Sequence, residues 1–158
     1  MPARTVLLLL ALLVAPLAAA QSTVTLTPLP PPDEAERDAV RAAVLDYVEA
    51  LYEVDPARIE RSVHPSLAKV GYWMGDDADA YQEARMTYDQ LVDLAGRWNQ
   101  RGRVDAASAP KEIVVLDLLD QTATAKLTAQ WGIDYMHLAK IDGRWMIMNV
   151  LWQSHPRK

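Results

Sequence analysis

No cysteine occurs anywhere in the 158 residues. Disulfides, thiolate nucleophiles and cysteine-ligated zinc or iron–sulfur centres are therefore excluded. Phenylalanine is missing as well, so five Trp and six Tyr carry all the aromatic surface. These side chains combine a flat apolar face with a polar handle. Histidine is scarce: His64, His137 and His155 form no i,i+4 pair and join no carboxylate motif, so no metal site is expected. Basic charge is scarce too, with 16 Lys and Arg against 21 Asp and Glu and a formal net charge of −5. Binding to a phosphate backbone needs a concentrated positive surface, so nucleic acid is not an expected partner. Six scattered glycines build neither a phosphate loop nor a dinucleotide fingerprint, and no nucleophile elbow is present. No cofactor is expected.

What is present is the composition of one globular domain, 51% hydrophobic and 23% charged, with enough apolar content to bury a core. Residues 1–20, MPARTVLLLLALLVAPLAAA, have a basic start at Arg4, an apolar stretch from Val6 to Ala15 and a small-residue cleavage site before Gln21. This is the pattern of a secretory signal peptide. An apolar run of about ten residues, broken at Pro16, is too short to cross hydrocarbon and is not expected to remain as a membrane anchor. The mature chain is expected in the periplasm or outside the cell. Residues 21–32, QSTVTLTPLPPP, are rich in proline, which lacks an amide donor and fixes φ, so they are expected to be an extended linker. A single domain over 33–155 follows.

In that domain Asp33 with Glu36 resembles a capping box, and Val40, Val44, Tyr47, Val48, Leu51 and Tyr52 recur at helical spacing. They predict a helix over 34–53. Asp55-Pro56 is an N-cap followed by proline at the first helical position, and predicts a second helix stopped by His64-Pro65. Residues 67–74 are β-prone, 75–79 look like a turn, and Thr87 with Gln90 caps a third helix carrying Leu91, Leu94, Ala95 and Trp98. Strands are predicted over 112–119, 122–131, 133–141 and 144–152 in a mostly antiparallel sheet. Asp142-Gly143 supplies the two positive-φ positions of a tight hairpin. Counting outward from that turn places Met136 beside Asn149 and Asp134 beside Leu151 on one face, and His137 beside Met148 and Ile133 beside Trp152 on the other. Both faces are largely apolar, so a homodimer formed through the sheet is expected.

Three helices followed by antiparallel strands in about 120 residues resemble the nuclear-transport-factor-2-like fold, an α+β cone in which helices and a curved sheet enclose a pocket. Two segments, LDYVEALYEVDPARIERSVHPSLAKVGYW at 45–73 and WGIDYMHLAKIDGRWMIMNVLW at 131–152, are similar to the lumazine-binding family of that superfamily. The resemblance implies a pteridine-type ligand. In the related ketosteroid-isomerase branch a tyrosine placed like Tyr47 donates to an oxyanion. The carboxylate base of that branch falls here at Gly71 or Tyr72, so it is absent.

Several side chains can carry chemistry. Tyr47 is either a desolvated donor in a pocket or a core residue on a helix face. Asp134 interrupts an apolar strand face, where burial raises a carboxyl pKa, and is the main candidate base unless it is paired or solvated at the sheet rim. His64 is either a base at the cavity mouth or a helix stop. His137 is either an acid–base group or an interface residue, and Asp117 either an active acid or an edge marker. The expected ligand-binding set is Tyr47, Leu51, Trp73, Trp131, Asp134, Met136 and Asn149, with Asp134 and His64 as the acid–base candidates. The expected function is binding of a small planar or apolar molecule between the first helix and the sheet. One alternative is a cofactor-free dehydratase or isomerase using the same pocket, and a second is a non-catalytic dimeric assembly domain.

Overall fold

Asp33 accepts a hydrogen bond from the Ala35 amide at 3.0 Å and starts α1, Glu34–Tyr52. A computed structural model describes residues 33–75 and 78–156. The signal, the linker and Asp76-Asp77 of the expected turn lie outside the described residues. Glu36 does not close a reciprocal capping box. Its carboxylate accepts instead from Lys140 Nζ and from Trp145 Nε1, the latter at 2.7 Å, tying the first turn of α1 to the sheet.

Helix α2, Pro56–Ser62, starts as expected: Asp55 caps Ala57 and proline occupies the first turn. It stops at Ser62, two residues before His64, and strand β1, Val63–Trp73, follows directly. His64-Pro65 thus lies in an irregular stretch of β1, where pairing is interrupted between Val63 and Ala68. β2, Gln82–Met86, pairs antiparallel with β1; its short, polar, largely exposed sequence gives no alternating apolar signal. Helix α3, Tyr88–Ala95, has the full capping box of Thr87 and Gln90, and Trp98 lies in the turns after its end. The remaining strands are β3, Lys111–Leu118, β4, Thr122–Ala129, β5, Gly132–Ile141, and β6, Arg144–Gln153.

The six strands are ordered β2-β1-β6-β5-β4-β3, antiparallel throughout except for the parallel β1–β6 pair. α1 packs on β3, β4 and β6 and also touches α2 and α3, so the helices cover one face. That face supplies the core: Ala125, Leu127, Met136, Leu138, Ile147 and Val150 lie under Val40, Val44, Tyr47 and Val48, all almost fully buried. Val114, Leu116, Tyr135 and Leu151 project from the other face and are exposed.

The hairpin at Asp142-Gly143 forms with φ values of 49° and 77° and the expected pairs Ile141↔Arg144 and Leu138↔Ile147. Beyond them the register differs from the sequence count. A bulge adds Met148 to β6, so His137 pairs with Asn149, Met136 with Val150 and Asp134 with Trp152. One extra residue transfers every later side chain of the strand to the opposite face. Trp152 therefore enters the core side, and Asn149 leaves it. A second irregularity between Val115 and Asp117 in β3 adds local twist to the outer strand.

Candidate functional site

The helical spacing of α1 places Tyr47 at the centre of its buried stripe, fully inaccessible. Its hydroxyl oxygen accepts a hydrogen bond of 2.6 Å from Lys69 Nζ. Lys69 belongs to the alternate residues of β1 that turn inward, Leu67, Lys69 and Gly71, and only 6% of it is exposed. From β5 comes Asp134, completely buried and on the same face as Met136 and Leu138. Trp131 sits in the turn before β5 and donates its indole N–H to both Asp134 carboxylate oxygens, at 3.1 and 3.2 Å. Three chain segments far apart in sequence thus bring a phenol, an amine and a carboxyl group into one interior cluster.

Two glycines make the cluster possible. Gly71 pairs with Trp152 across the β1–β6 ladder, and a Cβ there would sit 1.8 Å from the indole nitrogen. The missing side chain leaves room for Trp152 to lie over β1, with its ring centroid 5.3 Å from Lys69 Nζ. Tyr47 presents its own ring at the same distance. Gly132, at φ 149°, brings the β5 backbone against Gln153, whose carbonyl oxygen would lie 2.0 Å from any Cβ. Trp131 then meets Tyr47, Tyr52 and Trp98 edge-on, with centroids 6.3, 5.6 and 5.4 Å apart.

Burial sets the electrostatics. It pushes the Asp134 carboxyl above the usual carboxylate range, against the opposing pull of Lys69, the Trp131 indole and the Tyr47 hydroxyl. Desolvation lowers Lys69 below the ordinary lysine value while Asp134 pulls the other way. The Tyr47 phenol is driven well above its normal value, first by burial and then by the neighbouring Asp134. Burial thus opposes the charged form of each group, and the cluster gathers a phenol, an amine and a carboxyl group in a dry setting. Among the described residues no carboxylate lies within ion-pair distance of Lys69, and no group of three His, Asp or Glu side chains could hold a metal ion.

Of the residues singled out from sequence, Tyr47, Trp131 and Asp134 converge directly. Leu51 is buried on the same α1 stripe, and Met136 neighbours Asp134 on the inward face of β5. Asn149 does not join them: the bulge turns it outward, where it donates to the Ala68 carbonyl and lies 3.1 Å from His137 Nδ1. Trp73 ends β1 and is 41% exposed. His64 is engaged locally with the Ser66 hydroxyl and amide, outside the cluster. Asp117 is exposed and accepts from the next amide, Leu118. Lys69 escaped the sequence reading, although its place between Leu67 and Gly71 in an alternating β-prone run was a usable signal.

Residues 35–153 match the family described as "Putative lumazine-binding". The chain belongs to that family. This family member is 25% identical over 128 residues to an aldolase, FrzH, from Cladobotryum sp, covering 77% of this chain and 94% of the relative. Two solved structures share its fold. An NTF2-like protein of unknown function from Silicibacter pomeroyi DSS-3 superposes with a TM-score of 0.59 at 16% identity, over 77% of this chain and 98% of its own. One from Methylobacillus flagellatus KT gives 0.58 at 20% identity, over 80% and 97%. The fold is NTF2-like α+β, as the resemblance implied.

Proposed function

We propose that the chain is an exported domain that binds a small, planar, lumazine-type molecule between α1 and the sheet, using Tyr47, Lys69 and Asp134 as polar contacts and Trp131 and Trp152 as apolar walls. One observation carries this reading: an amine and a carboxyl group are buried together without direct ion-pair contact. Taking such groups out of water costs several kcal/mol each unless fully compensated, and an apolar filling would serve a purely structural core better. Membership of the lumazine-binding family supports a flat heterocyclic ligand. Export rests on the pattern of residues 1–20, and among the described residues no helix is long and apolar enough to cross a membrane. A homodimer through the outer sheet face accounts for the exposure of Val114, Leu116, Tyr135 and Leu151.

Titration with lumazine, followed by tryptophan fluorescence, tests the reading. Trp98, Trp131 and Trp152 surround or adjoin the cluster, so occupancy quenches emission saturably. Tyr47→Phe is expected to weaken the affinity about tenfold, the equivalent of one net hydrogen bond. Equal affinity in the variant rejects the site.

A second reading, a cofactor-free acid–base enzyme, draws on the raised Asp134 beside a phenol donor and on the likeness to an aldolase. In it Asp134 removes a proton next to a carbonyl group and Tyr47 donates to the resulting oxyanion. Exchange of α-protons on a ketone, lost in Asp134→Asn, supports it; no exchange leaves binding alone.

A further inference from the structure

We infer that Lys69 is a carbonyl-capturing amine: a small aldehyde or ketone seated among Tyr47, Trp131 and Trp152 condenses with its Nζ to form an imine. This rests on the reading that the interior admits a small molecule, and it goes further by naming a reactive group and a substrate class.

The geometry carries the inference. Lys69 Nζ is surrounded by the Tyr47 and Trp152 rings, each 5.3 Å away. Its one hydrogen-bond partner among the described residues is the Tyr47 hydroxyl. Two amine positions therefore remain uncommitted, in a setting that disfavours the ammonium form, which is how a lysine becomes a nucleophile near neutral pH. Lys69 also borders a groove of about 360 Å³ shared with Leu67, Met86 and Gln90. The remaining lysines of the chain are Lys111, Lys126, Lys140 and Lys158. Lys111 and Lys140 are held in ion pairs by Glu49 and Glu36.

The step balances with groups already in place. The Nζ lone pair attacks the carbonyl carbon, a C–N bond forms and the C=O π pair moves to oxygen. The Tyr47 hydroxyl stands beside Nζ to donate a proton to that oxygen, and the Asp134 carboxylate receives the proton lost by nitrogen. Asp134 then passes that proton to the hydroxyl, which departs as water as C=N forms, and the last N–H proton returns to the Tyr47 oxygen, leaving a neutral imine and both side chains as they began. No oxidant or reductant is involved.

Acetylacetone is the probe, because its condensation with an amine gives a stable, absorbing enaminone without a reductant. Incubated with the mature chain at pH 7, it is expected to label Lys69 about tenfold faster than Lys111, Lys126 or Lys140, because burial biases its amine towards the nucleophilic neutral form. Peptide mapping reads the positions. Lys69→Arg is expected to abolish the enaminone band while Lys126→Arg retains it. Labelling spread evenly over the lysines of the wild type overturns the inference, even if the Lys69→Arg variant fails to fold. A lumazine titration on the same preparation separates the two readings: saturable quenching without a Lys69 adduct overturns the imine alone, whereas neither signal overturns both.

Discussion

Asp134 has no contact with water and accepts from the Trp131 indole, so its ionisation is felt by the whole fold. Burial raises its folded-state pKa above the unfolded value of 3.8. The folded protein then holds a proton that the unfolded chain releases, so the stabilising contribution is full below about pH 3.8 and is lost as pH rises through the folded pKa. Asp134→Asn keeps an acceptor for Trp131 but cannot ionise. Its stability relative to wild type is therefore expected to improve between pH 4 and pH 8, measured as the difference in urea midpoint. A constant difference would show that Asp134 does not titrate in this window. Tyr47→Phe retains the ring and removes the acceptor of the Lys69 hydrogen bond, with an expected loss of about 1 kcal/mol in urea unfolding.

At the scale of elements, the β1–β6 contact depends on the absence of a side chain at Gly71. Gly71→Ala drives a methyl group into the Trp152 indole and is expected to cost about 1–3 kcal/mol. In a Trp152→Ala background most of that cost should vanish, a coupling that a double-mutant cycle in urea detects. Additive costs would mean that Trp152 does not lie over β1. The link between α1 and α2 carries a different strain. Val54 has φ 59°, a left-handed conformation that a β-branched residue adopts at a cost of about 1–2 kcal/mol. Val54→Gly is expected to raise the unfolding free energy by up to about 1 kcal/mol after the added flexibility of the unfolded chain is counted, read as a higher urea midpoint; a lower midpoint would contradict that assignment. The helices and four of the strands were legible because their caps and apolar periods are local. The Met148 bulge was not, since inserting a residue into β6 follows from how β6 must pair with both β5 and β1, and nothing in RWMIMNVLW marks it. That single residue exchanged the faces of Asn149 and Trp152. Lys69 was missed because a lysine in a strand is read by default as solvent-facing, although its place in phase with Leu67 and Gly71 put it on the inward side.

For the whole molecule, the NTF2-like architecture explains why one face is packed and the other remains apolar and exposed. Leu151→Glu and Tyr135→Lys place charges on the outer face without touching the core. If that face joins two copies, each variant is expected to sediment as a monomer with unchanged far-ultraviolet circular dichroism, whereas wild type sediments as a dimer; a monomeric wild type would contradict the arrangement. An interior cluster reached from three distant segments is the feature on which the functional account depends. Its most direct test is the lumazine titration monitored by tryptophan emission, run in parallel on wild type and Tyr47→Phe. Saturable quenching in wild type, weakened about tenfold in the variant, is the result the account predicts. Absence of saturable quenching, or identical curves for the two proteins, would contradict it.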